Sequence, residues 1–175
     1  GEMKMGRWIL VVIAVATLPI HSFAGELWQG AQSGANPNEV LAIFPDASLL
    51  PEPIEYATGD ALVLIDNRRV GQYEFDVLFI FGADGLTNVN LKASLKDTAV
   101  AGDFRELEAA LSTKYGAPVK TFPSPPSVGK FAFIESRDYF LEGLSVALSC
   151  FQCDNPGSLL IVSYSENLGQ LQDGL

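Results

Sequence analysis

Residues 73–93, Tyr-Glu-Phe-Asp-Val-Leu-Phe-Ile-Phe-Gly-Ala-Asp-Gly-Leu-Thr-Asn-Val-Asn-Leu-Lys-Ala, hold the pattern that decides the fold of this chain. Apolar side chains recur at alternate positions on both sides of Asp84-Gly85, as they do in strands with one buried face. An Asp-Gly pair readily adopts the positive φ that a tight hairpin turn needs. The segment therefore predicts an antiparallel hairpin, whose inner face carries Tyr73, Phe75, Val77, Phe79, Phe81, Val89, Leu91 and Ala93.

The same alternation extends the hairpin toward the N-terminus and returns in the second half of the chain. We expect a strand over 61–66 and a turn over 67–69 (Asn-Arg-Arg), which makes 61–93 a three-stranded meander. In the second half the predicted strands are Lys130–Glu135, Tyr139–Ser149 and Leu159–Ser165, with turns over 136–138 and 154–157.

A predicted helix precedes each meander. Asn36 is suited to cap the first helix, with Pro37 at its first position and Glu39 placed to complete a capping box. The second helix is predicted over Asp103–Tyr115, with Asp103 as its cap and Glu106 as the partner in the capping box. The first helix is about two turns long, so packing must stabilise it.

Two proline-rich segments separate these elements. Residues 45–59 contain Pro45, Pro51 and Pro53, and residues 121–127 contain three more prolines. Because proline cannot donate a ladder hydrogen bond, both segments are predicted to be irregular.

The predicted order of elements is one helix and then three strands, twice. The fold class that follows is α+β, with two αβββ units that form one or two antiparallel sheets packed by the two helices. The pseudo-repeats cover about 28–95 and 100–166. Together they make a single domain of residues 25–175.

Residues 1–24 predict export. Two basic residues precede an apolar run of 11 residues, Trp8–Leu18, and residues 22–24 (Ser-Phe-Ala) form a cleavage site of the secretory type. A membrane-spanning helix needs about 20 residues. We therefore expect cleavage after Ala24, no stable membrane insertion afterwards, and a periplasmic or secreted protein. The segment ends without the cysteine that a lipid anchor would require.

Charge and histidine content exclude several classes of function. The chain has 11 Lys+Arg against 21 Asp+Glu, a formal net charge of −10, which opposes binding to nucleic acid. Its one histidine, His21, lies in the predicted signal peptide. The exported domain would then lack the imidazole that Ser-His-Asp and Cys-His catalysis and many zinc sites need. We expect a non-catalytic protein with neither a cofactor nor a metal site.

Cys150 and Cys153 are the two cysteines of the chain, and in an oxidising compartment we expect them to form a disulfide. Residues three apart in a straight strand lie too far apart to pair, so the strand must end at Cys150. The alternative is a redox-active pair. It is less favoured because a redox-active Cys-x-x-Cys sits at a helix N-terminus, whereas a Pro-Gly turn follows here.

Trp28, just ahead of the first predicted helix, has two interpretations. A tryptophan at this point is either a lid over the sheet or an anchor for a binding partner. The lid is the favoured interpretation.

Two short motifs resemble those of small exported proteins built from helix-plus-meander repeats. They are the helix opening Asn-Pro-Asn-Glu-Val at 36–40 and the helix end Tyr-Gly-Ala-Pro at 115–118. The β-lactamase inhibitor protein and the small lipoprotein of the outer-membrane barrel-assembly machinery are of this kind. The resemblance implies a role in binding other proteins. The chain departs from it in having neither a lipid-anchor cysteine nor recognisable inhibitory contact residues.

Three functions compete on the sequence alone. The first is an exported, non-catalytic module that binds another envelope or secreted protein. The second is an enzyme, either a thiol-disulfide redox protein using Cys150 and Cys153 or a carboxylate hydrolase. The third is a carrier of a small apolar ligand held between sheet and helices, suggested by the 11 phenylalanines. The sequence leaves the oligomeric state undetermined.

Overall fold

The computed structural model describes residues 25–94, 101–121, 133–151 and 159–167. The predicted signal peptide and the predicted turn over 154–157 lie outside these ranges.

The described part of the chain forms ten strands and two helices. Along the sequence they are β1 (Glu26–Trp28), β2 (Ala31–Gln32), α1 (Pro37–Ile43), β3 (Ser48–Tyr56), β4 (Gly59–Val70), β5 (Tyr73–Gly82), β6 (Gly85–Ser94), α2 (Ala101–Tyr115), β7 (Val119–Thr121), β8 (Phe133–Leu141), β9 (Leu144–Phe151) and β10 (Leu159–Glu166).

Eight of the strands form one antiparallel sheet in the order β3-β4-β5-β6-β10-β9-β8-β7, and β1 and β2 form a separate hairpin. Each helix is followed by a meander of four strands. The two meanders join through their last strands, β6 and β10, where Leu91 pairs with Val162. Since equivalent strands pair antiparallel at this junction, the two halves of the sheet are related by an approximate two-fold axis.

The predicted α+β class with two αβββ units is wrong. The structure is mostly β, with described helices of only 7 and 15 residues, and the meanders have four strands instead of three. The strand missed in the first half is β3, which contains Pro51 and Pro53. Proline is tolerated there because β3 is an edge strand and its pairing with β4 is interrupted between Leu49 and Ile54.

Two predicted turns are also wrong. The structure continues β4 through 67–69 and β8 through 136–138, and the chain turns instead at 71–72 and 142–143. Asn67 has a positive φ of 52° because it lies at a bulge between β4 and β5, so the turn-like residue marks an irregularity within a strand.

Other predicted elements are confirmed. Asn36 caps α1 by accepting from the backbone of Asn38 and Glu39, and Glu39 Oε2 accepts from Asn36 N at 2.7 Å. The β5–β6 hairpin forms as predicted, with its turn at 83–84 and the positive φ, 108°, at Gly85, the first residue of β6. Strand β10 covers the predicted strand. The second helix exists but begins at Ala101, so Asp103 lies within its first turn.

The core lies between one face of the eight-stranded sheet and the elements that cover it. The β1–β2 hairpin, α1 and α2 all contribute to one buried cluster on this face. Its almost fully buried strand side chains include those of Ile65, Phe75, Phe79, Leu148, Leu160 and Tyr139.

The opposite sheet face consists largely of small and polar side chains. Asn90 lies beside Ser163, which lies beside Ala147 on the next strand, and all three are half-buried. A second, small apolar cluster of Ala61, Leu78 and Ile80 lies toward the β3 edge. Both helices pack on the first face, and neither of the described helices covers the second.

Candidate functional site

A groove of about 460 Å³ lies between α2 and the sheet. One wall is the side of α2 that carries Glu106, Leu107, Ala110, Leu111 and Lys114, and the other is the β4–β5 turn, residues 70–73. We call this space the α2 groove. Its size falls within the range of about 300–1,000 Å³ typical of small-molecule sites.

The floor of the α2 groove is apolar and comes from three neighbouring strands. Phe75 of β5, Leu91 of β6, and Val162 and Tyr164 of β10 line it. All four side chains are buried, since they occupy alternate positions on the helix-covered face of the sheet. Leu91 and Val162 are the pair at the junction of the two meanders, so the floor lies at the centre of the sheet.

A polar link joins the two walls at one end of the groove. Tyr73 OH donates to Glu106 Oε2 at 2.9 Å, and Gln72 Nε2 donates to the same oxygen. Burial raises the pKa of Tyr73 above its ordinary value, and the negative charges of Asp103 and Glu106 raise it further. Two carboxylates, those of Asp103 and Glu106, therefore act on this end of the groove, and Arg69 Nε donates to the carbonyl of Gly71 in the adjoining turn at 3.3 Å.

The other end of the groove is basic and aromatic. Lys114 Nζ lies 4.9 Å from the centre of the Tyr115 ring. Among the described residues, no carboxylate lies within ion-pair distance of Lys114. Burial raises the pKa of Tyr164 on the floor, and its interaction with Tyr115 raises it further.

Sequence reasoning gave the groove residues other roles. Glu106 was predicted to complete a capping box with Asp103, but α2 begins at Ala101 and the carboxylate accepts from Tyr73 and Gln72 instead. Lys114 lies in the last turn of α2, where a basic residue suits the helix C-terminus. A signal was present in the spacing, because Glu106, Ala110 and Lys114 recur every four residues along one side of a helix.

A second cluster of charged groups lies between α2 and β8. Arg137, 7% exposed, donates to Glu108 Oε1 at 2.6 Å, to a carboxylate oxygen of Glu135 and to the carbonyl of Ser136 at 2.9 Å. Its guanidinium also lies 5.2 Å from the centre of the Phe104 ring. These contacts occupy the guanidinium, so the cluster fixes α2 on the sheet and thereby positions one wall of the groove.

The two halves of the sheet differ beside their helices. The counterpart of the α2 groove is the space between α1 and the β8–β9 turn, where the β1–β2 hairpin packs on β6 and β10. The backbone of Gly25 lies against that turn at Gly143. Leu27 and Trp28 are buried there, and Trp28 stacks on Phe44 with ring centroids 5.5 Å apart. The chain's own side chains thus fill this counterpart space.

Trp28, predicted either as a lid or as a binding anchor, is 6% exposed and belongs to the main core cluster. This is the placement that the lid interpretation requires. With so little surface outside the core, the indole has little area to offer a partner.

Cys150 is fully buried in β9, opposite Leu160 of β10. The expectation that the strand ends at Cys150 is wrong by one residue, because β9 continues to Phe151. Cys153 lies outside the described residues, so the disulfide stays a prediction. The burial of Cys150 disfavours the redox alternative, since a reactive thiol needs access to its substrate.

The described residues contain neither a metal-binding cluster nor a membrane-spanning helix. No group of three or more His, Cys, Asp or Glu side chains in these ranges is arranged to hold a metal ion. Neither of the described helices is long and apolar enough to cross a membrane.

Comparison with known proteins found no match: neither a protein-family model, nor a curated protein, nor a solved structure matches this chain. The resemblance to helix-plus-meander proteins, drawn from residues 36–40 and 115–118, therefore stays a prediction.

Proposed function

We propose that this chain is a non-catalytic carrier that binds a small, largely apolar molecule in the α2 groove. The observation that supports this function is the groove itself, about 460 Å³ in volume with an apolar floor at the centre of the sheet. Its charged groups are Glu106 at one end and Lys114 at the other. A mainly apolar concavity with a few placed polar groups is typical of small-molecule sites.

The tyrosines of the groove favour binding over catalysis. The pKa values of Tyr73 and Tyr164 are both raised, which moves them further from neutrality. A general acid or base works best when its pKa lies near the operating pH. We therefore assign the groove a role in holding a molecule.

The proposed carrier is exported. Residues 1–24 are interpreted as a signal peptide because a basic start precedes an apolar run. The carrier would therefore work in the periplasm or outside the cell.

The test of the carrier function is to fill the groove without changing its charge. Ala110→Phe places a ring in the groove, and Ala109→Phe makes the same change on the same helix outside the groove lining. We expect wild type and Ala109→Phe to bind the neutral fluorescent probe N-phenyl-1-naphthylamine at one site per chain. Ala110→Phe should weaken this binding at least about tenfold. Equal binding by both variants would exclude the groove as the site.

A second candidate function is protein binding through the sheet face opposite the helices. The observation that favours it is the combination of small side chains across β6, β10 and β9 with the exposed ring of Phe140, 60% accessible, on β8. A partner from envelope extract that binds wild type and Ala110→Phe but not Ser163→Arg would support this function. A partner lost only with Ala110→Phe would assign the interaction to the groove.

A further inference from the structure

The carboxylate of Glu106, at one end of the α2 groove, is exposed, and both of its hydrogen bonds within the described residues fall on one oxygen. Both donors, Tyr73 OH and Gln72 Nε2, bind Glu106 Oε2. Glu106 Oε1 has no hydrogen-bond partner among the described residues, although the carboxylate is fixed by two contacts on its other oxygen. An oriented carboxylate oxygen at the mouth of an apolar groove is an acceptor for a charged donor.

The charges around this oxygen favour a cation. Asp103 lies near enough to Tyr73 to raise its pKa, so a second carboxylate adds to the negative potential. The whole chain carries a formal net charge of −10, which attracts cations over a longer range. The ring of Tyr73, half-buried and packed against Phe75 with centroids 6.0 Å apart, lies at the same end and offers an aromatic surface to a cation.

The far end of the groove fixes the direction in which such a molecule would lie. Lys114 is eight residues beyond Glu106 on α2, a rise of about 12 Å along the helix. Its ammonium repels a cation, so the positive group belongs at the Glu106 end. Between the two charges the groove offers the apolar side chains of Leu107, Leu111, Leu91 and Val162.

We propose that the ligand of the α2 groove is an amphipathic organic cation, an alkylammonium whose nitrogen donates to Glu106 Oε1 and whose chain lies on the floor of the groove. This inference rests on the proposed carrier function. It adds the class of ligand, its orientation and the residue that recognises its charge. Tyr73 acts as a positioning residue, because its hydroxyl holds the carboxylate without using Oε1.

The test compares three probes with the same eight-carbon chain: octylammonium, octan-1-ol and octanoate. Isothermal titration calorimetry on the protein should give the order octylammonium, then octanol, then octanoate. Glu106→Gln should weaken octylammonium about tenfold and leave octanol unchanged, because it removes the charge and keeps an oxygen acceptor. The control Glu142→Gln, at the exposed counterpart turn between β8 and β9, should change neither.

Two further variants separate positioning from charge. Tyr73→Phe should weaken octylammonium by a few fold, through a less ordered carboxylate, and leave octanol unchanged. Lys114→Gln should leave octylammonium binding equal or stronger. Thermal unfolding of each variant checks that the fold is intact.

The outcomes distinguish the class of ligand from the carrier function. Tighter binding of octanoate than of octylammonium would overturn the cation, as would a Glu106→Gln variant that binds octylammonium like wild type. In both cases the groove would still be a binding site. Absence of binding by all three probes, together with no effect of Ala110→Phe on N-phenyl-1-naphthylamine, would overturn the carrier function itself.

Discussion

The spaces beside α1 and α2 are built on equivalent strands of the sheet, yet one is filled and the other is open. Beside α1, the β1–β2 hairpin inserts Leu27 and Trp28 into the core. Beside α2, the described residues include no such hairpin, and the walls meet only where Tyr73 and Gln72 bind Glu106. The two halves of the sheet are related by an approximate two-fold axis, so two equivalent spaces lie beside the helices. Because the β1–β2 hairpin fills one of them, a single groove is left open.

The largest expected change in stability comes from removing the side chain that fills the space beside α1. Trp28→Ala removes a 6%-exposed indole that stacks on Phe44, and we expect it to lower the free energy of unfolding by about 4 kcal/mol. Urea denaturation measures this change. If the two spaces are equivalent, the variant should also bind a second molecule of N-phenyl-1-naphthylamine per chain.

The control for this prediction is Phe140→Ala, which removes an aromatic ring that is 60% exposed on the opposite face. It should cost about 1 kcal/mol or less. A Trp28→Ala variant as stable as Phe140→Ala would show that the hairpin contributes little to the core and would undermine the comparison.

The next largest change in stability is expected at α2, the helix that forms one wall of the open groove. Arg137→Ala removes a buried guanidinium and its hydrogen bonds to the more accessible carboxylates of Glu108 and Glu135, and we expect a loss of about 2 kcal/mol in the free energy of unfolding. Because α2 then loses a contact with β8, probe affinity should fall as well. Arg105→Ala, an exposed arginine on the same helix, should change stability by no more than about 0.5 kcal/mol. Equal losses in the two variants would refute the positioning role of Arg137.

The smallest expected effect is a fall in the free energy of unfolding at alkaline pH, caused by Tyr164 on the floor of the groove. The folded state raises the pKa of Tyr164 above its ordinary value of 10.0, so the folded protein keeps the phenol proton where the unfolded chain has lost it. The stabilisation is complete below pH 10 and is lost as pH rises from there through the folded-state pKa. The slope reaches at most about 1.4 kcal/mol per pH unit. Tyr164→Phe should reduce it, and urea midpoints at pH 9 and pH 11 compare the two proteins.

Local patterns predicted the elements whose determinants lie close together in the chain. The β5–β6 hairpin follows from alternation around Asp84-Gly85, and α1 follows from the capping box of Asn36 and Glu39. The residues that determine each element lie within a few positions of one another, so the element could be predicted without knowing any distant contact. The same locality explains the failure at β3, where Pro51 and Pro53 indicate an irregular segment unless the strand is known to lie at the edge of a sheet.

The α2 groove could not be predicted in this way. Its walls come from residues 70–73 and 106–114, and its floor adds Val162 and Tyr164, so it depends on how the two meanders join. The sequence placed Arg137 in a turn because a run of Ser-Arg-Asp is common in loops. Its burial depends on Glu108, 29 positions earlier in the chain. Partners at such separations leave no local signal.

The junction of β6 with β10 has a consequence for how the chain folds. Leu91 pairs with Val162, so this pair forms only after the seventy residues between them have been placed. Each meander consists of neighbouring hairpins, which form on local contacts, whereas the junction must close one long loop. We therefore expect slow folding for a domain of this size, with the two meanders assembling before they dock edge to edge.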